Sequence, residues 1–322
     1  MKKQAERAII KMKDKYGRDI NYLRISLTKR CNLNCSYCGS KRSSATNELS
    51  AEEVIAYTQA FASLGITKVR LTGGEPLMRE DITGIVREIR SIDGIDSVYI
   101  TTNGILLDEY ADELKNAGVD GVNISLDTTD RDMYKSLTGV DGFDRALAGF
   151  YKALEAGFRS VKINSVLVRG RNDGEAEKLI DLARKHRTDV RFIELMPFSK
   201  QGEQKELVVK TDELLERFPF LFPCEENEEG AARYYTADGF SGRIGFISPR
   251  SCKFCDSCNR IRLLSDGRIK PCLGNEITYD VRKYIGNREL LTEKIAQAVF
   301  NKPASHHFED GDNFRGLNLI GG

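Results

Sequence analysis

The sequence contains no run of about 18 apolar residues, the length that a membrane-spanning helix requires. Its lysine-rich N-terminal segment, residues 1–17, lacks the apolar core of a signal peptide. It also has almost no net charge, because 49 lysines and arginines nearly balance 48 aspartates and glutamates over 322 residues. Such a chain has no overall field that draws it to nucleic acid or anionic lipid. These absences predict a cytoplasmic protein that binds neither nucleic acid nor membranes.

The eight cysteines are unevenly distributed, and seven of them fall into two tight sets. In a reducing compartment such sets indicate metal ligation by thiolates rather than disulfides. The first set is Cys31, Cys35 and Cys38, the second is Cys252, Cys255, Cys258 and Cys272, and Cys224 stands alone. The three histidines show no ligand spacing with other candidates, so we expect them at the surface or in packing. They are His186, His306 and His307.

The first part of the chain alternates predicted strands with predicted helices. With 40% apolar and 30% charged residues, the composition is that of a folded globular protein. Strands are predicted at residues 22–28, 68–72, 97–103, 121–127, 160–168 and 190–196. Helices are predicted at residues 50–64, 82–92, 108–117, 143–157 and 174–186. Six consecutive βα units require a parallel sheet, either a curved, partly open barrel or a doubly wound open sheet.

The pattern divides the α/β chain into three parts. These are an N-terminal helical extension at 1–20, the βα part at 21–197 and a smaller C-terminal α+β region at 198–322. In the last part, polar residues 198–213 predict a linker. Two hairpins follow, at 233–247 and 260–270, the second turning at Asp266-Gly267, and a helix is predicted at residues 290–300.

The first cysteine set directly follows the first predicted strand. Three thiolates spaced as in Cys31, Cys35 and Cys38 can bind three corners of a 4Fe-4S cluster and leave one iron open for a cofactor. A zinc site with one distant ligand, or plain buried thiols, are the alternatives. After the second strand comes Gly73-Gly74-Glu75-Pro76, where two glycines let the backbone approach a small ligand closely.

The second cysteine set also offers three thiolates. Cys255 and Cys258 form a CxxC pair, and Cys272 follows across the predicted hairpin. Arg260 and Arg262 lie between them, and arginine suits phosphate oxygens and nucleobase acceptors. The alternative is a structural zinc ribbon with outward-facing arginines. If Cys252 were a fourth ligand the site would be closed, and we expect it instead to be a bystander.

Together these motifs resemble the radical S-adenosylmethionine (SAM) superfamily and, within it, the molybdenum cofactor biosynthesis protein A family of GTP 3',8-cyclases. The resemblance extends from Asn21 to Gly322. Besides the cysteines and the Gly-Gly-Glu-Pro loop it rests on Leu23-Arg24-Ile25-Ser26, Thr101-Thr102-Asn103-Gly104, Asn123-Ile124-Ser125-Leu126-Asp127, Lys162-Ile163-Asn164, Arg191-Phe192-Ile193-Glu194-Leu195-Met196 and Ile320-Gly321-Gly322.

The resemblance implies a fold and a set of site residues. The fold is a partial (βα)6 barrel whose C-terminal region carries a second iron–sulfur cluster. It implies a first 4Fe-4S cluster on Cys31, Cys35 and Cys38, a second on Cys255, Cys258 and Cys272, and SAM beside Tyr37, Gly74, Ser125 and Met196. GTP would contact Arg24, Arg70, Thr101, Lys162, Arg260 and Arg262. The terminal Gly321 and Gly322 would reach into the site and support radical initiation.

The reaction implied by the resemblance is radical cyclisation of GTP to 3',8-cyclo-7,8-dihydro-GTP, the first step of molybdopterin synthesis. A low-potential donor such as flavodoxin or ferredoxin would supply the electron, and cyclic pyranopterin monophosphate synthase would take the product. The family also suggests a homodimer. Two alternatives remain open on the sequence. One is a radical SAM enzyme that modifies peptides, and the other is a zinc-ribbon binding protein with a degenerate barrel.

Overall fold

A computed structural model describes residues 12–39, 47–225, 230–308 and 316–320 of the chain. Its strands are β1 (Tyr22–Ser26), β2 (Lys68–Thr72), β3 (Ser97–Thr102), β4 (Gly121–Ser125), β5 (Ser160–Val166), β6 (Asp189–Ile193), β7 (Phe222–Pro223), β8 (Arg233–Thr236), β9 (Ile244–Ile247), β10 (Arg260–Leu263), β11 (Arg268–Lys270) and β12 (Tyr279–Asp280). Its α-helices are α1 (Ala51–Ser63), α2 (Ile82–Ser91), α3 (Leu107–Ala117), α4 (Arg131–Thr138), α5 (Phe143–Glu155), α6 (Ala176–Lys185), α7 (Lys200–Glu203), α8 (Thr211–Arg217) and α9 (Arg288–Phe300).

The strands form one sheet in the order β12-β11-β10-β1-β2-β3-β4-β5-β6-β9-β8-β7. Strands β1 to β6 lie side by side in chain order and pair in parallel. A doubly wound sheet would reverse its strand order at a switch point, so the unbroken order is that of a barrel wall. The wall is not closed, because β1 and β6 do not pair with each other but with β10 and β9. The partial (βα)6 barrel is confirmed.

The C-terminal region completes both edges of this wall. The predicted hairpins are present as the antiparallel pairs β8–β9 and β10–β11, and Gly267 adopts the positive φ of 86° that the second turn requires. The two hairpins extend opposite edges of the six-strand wall, since β9 pairs in parallel with β6 and β10 pairs in parallel with β1. The smaller region is therefore continuous with the barrel wall.

Two sequence predictions are wrong in their described parts. Residues 198–213 are not a plain linker, because Ser199 caps α7 by accepting a hydrogen bond from the Gly202 N–H, and α8 begins at Thr211. Residues 12–20 contain no helix. There the Asp14 carboxylate accepts hydrogen bonds from the backbone N–H groups of Tyr16 and Arg18, a turn that competes with a helix. Residues 1–11 of the predicted extension lie outside the described residues.

Local signals explain several helix ends. α1 starts with a capping box, in which Ser50 accepts from the Glu53 N–H and the Glu53 carboxylate accepts from the Ser50 N–H. Three glycines predicted as left-handed helix ends do adopt positive φ, namely Gly65, Gly118 and Gly157. Helix α4 was not predicted, and Asp130 caps it by accepting from the Met133 N–H.

Strand alternation separates the core from the site. On β5, Ile163 belongs to the hydrophobic core, while Lys162 and Asn164 on either side of it line a cavity. Successive side chains of a strand point to opposite faces of the sheet, so the inner face of the wall carries the polar residues. No helix among the described residues has the length and apolar character needed to cross a bilayer.

Candidate functional site

A cavity of about 1400 Å³ lies on the inner face of the wall. All sixteen predicted ligand, SAM and GTP residues within the described ranges line it. They come from the loop after β1, from β1 to β5, from the segment after β6 and from the segment around β10. The structure therefore brings together residues that are up to 248 positions apart, from Arg24 to Cys272. Gly321 and Gly322 lie outside the described residues.

The first cysteine set forms one wall of the cavity. The Cys38 N–H donates to the Cys35 carbonyl at 3.1 Å, and the Leu33 N–H donates to the Cys31 thiol at 3.4 Å. Burial raises the pKa of Cys31 to about 11, and the Cys38 thiol adds to the effect. A nearby cation would favour the ionised thiolates. This donor set fits an iron–sulfur cluster.

Among the described residues, no group of three or more His, Cys, Asp or Glu side chains converges on a point where one metal ion would bind. The fit of a cluster rests instead on the thiol donors and on the shared cavity.

The Gly-Gly-Glu-Pro loop packs directly on the segment that leads into Cys31. The Gly74 N–H donates to the Thr28 carbonyl and the Glu75 N–H to the Arg30 carbonyl, both at 2.7 Å. A Cβ atom on Gly74 would lie 2.2 Å from the Arg30 carbonyl oxygen. Only glycine allows this approach to the backbone of residues 28–30. The predicted approach of the loop to a small ligand stays a prediction. The buried Glu75 carboxylate fixes the next strand end by accepting from the Thr102 hydroxyl and the Asn103 N–H.

One predicted SAM residue, Tyr37, is held by a carboxylate that the sequence analysis did not single out. The Tyr37 hydroxyl donates to Asp127 Oδ2 at 2.6 Å, and the Val166 N–H donates to Asp127 Oδ1 at 2.8 Å. Asp127 lies two residues after Ser125 at the end of β4. Only its place in the quoted motif, at a strand end, could have pointed to it. Met196 lines the cavity beyond β6 and packs against the cluster that contains Phe198.

The cavity is strongly positive. Eleven lysines and arginines line it against two carboxylates, Asp127 and Asp189. Strand register places Arg24 opposite both Arg70 on β2 and Arg262 on β10. Burial lowers the pKa of Arg24 to about 9. The charges of Arg262 and Arg70 add to this shift, and Tyr22 opposes it. Like charges on neighbouring strands repel, so an anion bound beside these arginines would stabilise the arrangement.

Further polar contacts position individual cations. Arg70 donates to the Tyr22 hydroxyl, and its guanidinium lies 4.9 Å from the centre of the Tyr99 ring. Thr101 is 3.5 Å from Arg70 Nη1. On the other side, the Lys162 ammonium forms a 2.9 Å ion pair with Asp189.

The second cysteine set lines the cavity from the other end of the strands, because Cys258 precedes β10, the first set follows β1, and these two strands are parallel. The Cys258 N–H donates to the Cys255 carbonyl at 3.2 Å. Burial alone would raise the pKa of Cys258, but the charges of Lys302 and Arg260 outweigh it and lower the pKa below the usual value. This positive setting favours thiolate ligands and fits a metal cluster. Cys252 is exposed and does not line the cavity.

The sequence analysis missed several cavity residues. His306 is buried, stacks on Phe308 with ring centres 4.2 Å apart and lines the cavity, whereas His186 packs edge-on against Phe150. Lys302 lines it as well, although a lone lysine after a helix usually indicates a solvated surface. From the C-terminal tail, the Leu317 N–H donates to the Cys38 carbonyl at 2.9 Å. The tail segment thus reaches the first cysteine set.

Two family models together match most of the chain. Residues 25–183 match the Radical SAM superfamily, and residues 188–308 match Molybdenum Cofactor Synthesis C. The solved structure of SuiB from Streptococcus suis bound to S-adenosylmethionine is similar in fold, with a TM-score of 0.63 and 15% identity over 93% of this chain and 77% of that one. By fold and site, the protein is an enzyme of the radical SAM superfamily.

Curated relatives narrow this class to one family. A GTP 3',8-cyclase of Clostridium acetobutylicum is 42% identical over 96% of this chain and 98% of the relative. A GTP 3',8-cyclase of Alkaliphilus oremlandii is 41% identical over 97% of this chain and all of the relative, and one of Clostridium botulinum is 40% identical over 92% and 94%. The chain belongs to the GTP 3',8-cyclase family, as the motifs predicted.

Proposed function

We propose that this protein cyclises GTP to 3',8-cyclo-7,8-dihydro-GTP, the first step of molybdenum cofactor synthesis, with SAM as cofactor. One observation carries the proposal: a cavity with eleven cationic residues against two carboxylates lies between two sets of three cysteines. A triphosphate supplies the anion that such a cavity lacks. The cysteine sets supply cluster ligands at its two ends.

We assign the first cluster to Cys31, Cys35 and Cys38. The SAM contacts are assigned to Tyr37, Gly74, Ser125 and Met196. The GTP contacts are assigned to Arg24, Arg70, Thr101, Lys162, Arg260 and Arg262. Support for the last group includes Arg262 Nε, which is buried in the described structure without a hydrogen-bond partner. A buried donor of this kind is costly unless a ligand satisfies it.

The cluster and SAM, when bound, supply the radical chemistry. The chain's own residues bind and orient the two small molecules and exclude water from them. The fork of Arg262 and its register neighbour Arg24 would hold phosphate or nucleobase oxygens. The Tyr37–Asp127 pair would fix the first cysteine loop against β4. Gly321 and Gly322 are proposed to extend the tail toward this site from Leu317.

The proposal includes a second 4Fe-4S cluster on Cys255, Cys258 and Cys272, with Cys252 as a bystander. It divides the chain at 1–20, 21–197 and 198–322. The two family matches also separate an N-terminal part from a C-terminal part, between residues 183 and 188. It places the enzyme in the cytoplasm, where thiols stay reduced. The electron would come from flavodoxin or ferredoxin, the product would pass to cyclic pyranopterin monophosphate synthase, and the enzyme would act as a homodimer.

The test uses protein reconstituted anaerobically with iron and sulfide and then given SAM, a reductant and GTP, ATP or no nucleotide. We expect 5'-deoxyadenosine and an isomer of GTP, detected by mass spectrometry, only when GTP is present. Replacing Arg262 by Met should weaken GTP binding about tenfold to a hundredfold, the value of one or more charged hydrogen bonds. The matched control is Arg131→Met, because Arg131 has an exposed side chain and does not line the cavity.

Deoxyadenosine formation that leaves GTP unchanged would contradict the assigned substrate. A peptide-modifying enzyme would then be the favoured alternative. The fold alone does not distinguish the two functions, because SuiB bound to its precursor peptide SuiA is also similar in fold, with a TM-score of 0.59.

A further inference from the structure

Lys302 is a buried cation beside the second cysteine set. It lies two residues after α9 and is only 1% exposed. Its ammonium donates to the carbonyl oxygens of Arg260 at 2.9 Å and Pro271 at 2.6 Å. Arg260 follows Cys258 by two positions, and Pro271 directly precedes Cys272. One ammonium therefore joins the two chain segments that carry these thiols.

Among the described residues, no ion pair connects Lys302 to a carboxylate, and the negative groups that act on it are the thiols of Cys258 and Cys272. The other charges close to it, Arg262 and Arg18, are positive. Burying an ammonium is costly unless it is paired and hydrogen-bonded. The two carbonyls satisfy two of its three donors but do not balance its charge. The anions available for that role are thiolates.

Arg18 shows how a buried cation nearby is balanced differently. Its guanidinium pairs with Asp14 at 2.6 Å and also donates to the Cys255 carbonyl at 2.8 Å. Arg18 thus carries its own counter-ion and holds the third cysteine segment through the backbone. By contrast, Lys302 acts on Cys258 without a carboxylate partner of its own among the described residues.

We propose that Lys302 is a positioning residue of the second cysteine site, which sets the separation of the Cys258 and Cys272 segments and balances the negative charge of a cluster bound there. The inference rests on the second cluster of the proposed function. A fixed positive charge beside a cluster favours its reduced, more negative form. Lys302 therefore acts on both the retention and the reduction potential of that cluster.

The experiment isolates the second site in the full chain by replacing Cys31, Cys35 and Cys38 with Ala. This protein is reconstituted anaerobically with iron and sulfide, and iron, sulfide and the midpoint potential are measured with Lys302, Lys302→Met or Lys302→Arg. The matched control is Lys270→Met. Lys270 is equally buried at 3% exposure and donates to the Asn275 carbonyl. The carboxylate of Glu276 acts on its charge more strongly than the Cys272 thiol does.

We expect Lys302→Met to lose iron to a chelator about tenfold to a hundredfold more readily, the usual effect of removing an outer-shell partner. Any cluster that remains in Lys302→Met should have a lower midpoint reduction potential than the cluster in the protein with Lys302. Lys302→Arg and Lys270→Met should retain the cluster. If Lys302→Met retained iron as well as the protein with Lys302 and had the same midpoint potential, the inference would be wrong and the proposed function would stand. The same would follow if Lys270→Met lost iron as readily as Lys302→Met. If the protein with intact Lys302 bound no cluster, the proposed second cluster would be wrong, and the inference would be wrong with it.

A second measurement does not depend on how the Lys302 variants fold. Replacing Cys258 and Cys272 by Ala in the otherwise complete chain removes the anions and leaves Lys302 in place. Backbone amides at the end of α9, including that of Lys302, should then exchange with solvent faster, while those of α2 should not change. Unchanged exchange at the end of α9 would also overturn the inference.

Discussion

Replacing Gly74 by Ala tests how the Gly-Gly-Glu-Pro loop supports the first cysteine set. The loop lies on the backbone of residues 28–30, and a methyl group on residue 74 would lie 2.2 Å from the Arg30 carbonyl oxygen and 2.8 Å from that of Lys29. Both atoms belong to the backbone, so no side chain can turn aside. The segment that leads into Cys31 has to move instead.

The size of the effect follows from this contact. Ordinary van der Waals contact begins near 3.4 Å. Relieving the clash therefore displaces the loop by about 1 Å, and a misplacement of about 1 Å at a reaction centre costs about a hundredfold in rate. Overpacking of this kind also lowers the free energy of unfolding by about 1–3 kcal/mol. Gly74→Ala should thus remain folded but should cleave SAM about a hundredfold more slowly.

The assay is the initial rate of 5'-deoxyadenosine formation, with stability measured by urea denaturation. Gly84→Ala is the matched control, because Gly84 lies inside α2 and nothing lies within 4 Å of a Cβ built there. Alanine should stabilise that helix by about 1 kcal/mol and leave the rate unchanged. A Gly74→Ala enzyme with the wild-type rate would refute the argument that backbone contact between the loop and residues 28–30 positions the cysteines.

Three other predictions concern single side chains. Burial would raise the pKa of Tyr22, but the arginine charges around it lower the pKa to about 7. Phenolate absorbance should therefore titrate near pH 7 in the protein without GTP, and Tyr22→Phe should abolish it. Since this pKa lies below the unfolded value of about 10, the associated stability is present above pH 10 and is lost as the pH falls through 7. Tyr37→Phe removes a buried donor to a carboxylate and should lower the free energy of unfolding by about 1–3 kcal/mol in urea denaturation. Cys252→Ala should leave iron content unchanged in elemental analysis, whereas Cys272→Ala should lose roughly four irons.

Each of these has its own control and contrary result. An absorbance change near pH 7 that persists in Tyr22→Phe would show that another group titrates. Tyr16→Phe is the control for Tyr37→Phe, because Tyr16 is 52% exposed, and equal stability of the two variants would contradict a strong Tyr37–Asp127 bond. Loss of the second cluster in Cys252→Ala, with retention in Cys272→Ala, would reverse the ligand assignment.

Much of the barrel wall was predictable because its signals are local. The Ser50–Glu53 box marks the start of α1, and the β-branched run at 68–72 coincides with β2. Strand pairing at the edges was not predictable, since nothing in a hairpin sequence states which distant strand it will meet. Helix α4 was missed because it is short, at eight residues.

The site residues were also predictable only where their signals in the sequence are local. Motif spacing identified both cysteine sets and the glycine loop, and strand ends identified the polar residues between them. Lys302 and Arg18 were missed because the backbone carbonyls that accept from them lie 31 to 286 positions away in the chain. Such contacts leave no pattern in the sequence, and an isolated cation is usually solvated.

The pairing of β1 with β10 and of β6 with β9 has a consequence for synthesis of the chain. Both edges of the parallel wall emerge from the ribosome well before the strands that cover them. Uncovered edges pair readily with other chains, and contacts between segments so far apart in sequence form slowly. A fragment of residues 21–197 would keep the first cysteine set yet leave both edges open. Newly made chains are therefore most exposed to aggregation in the interval before β10 docks.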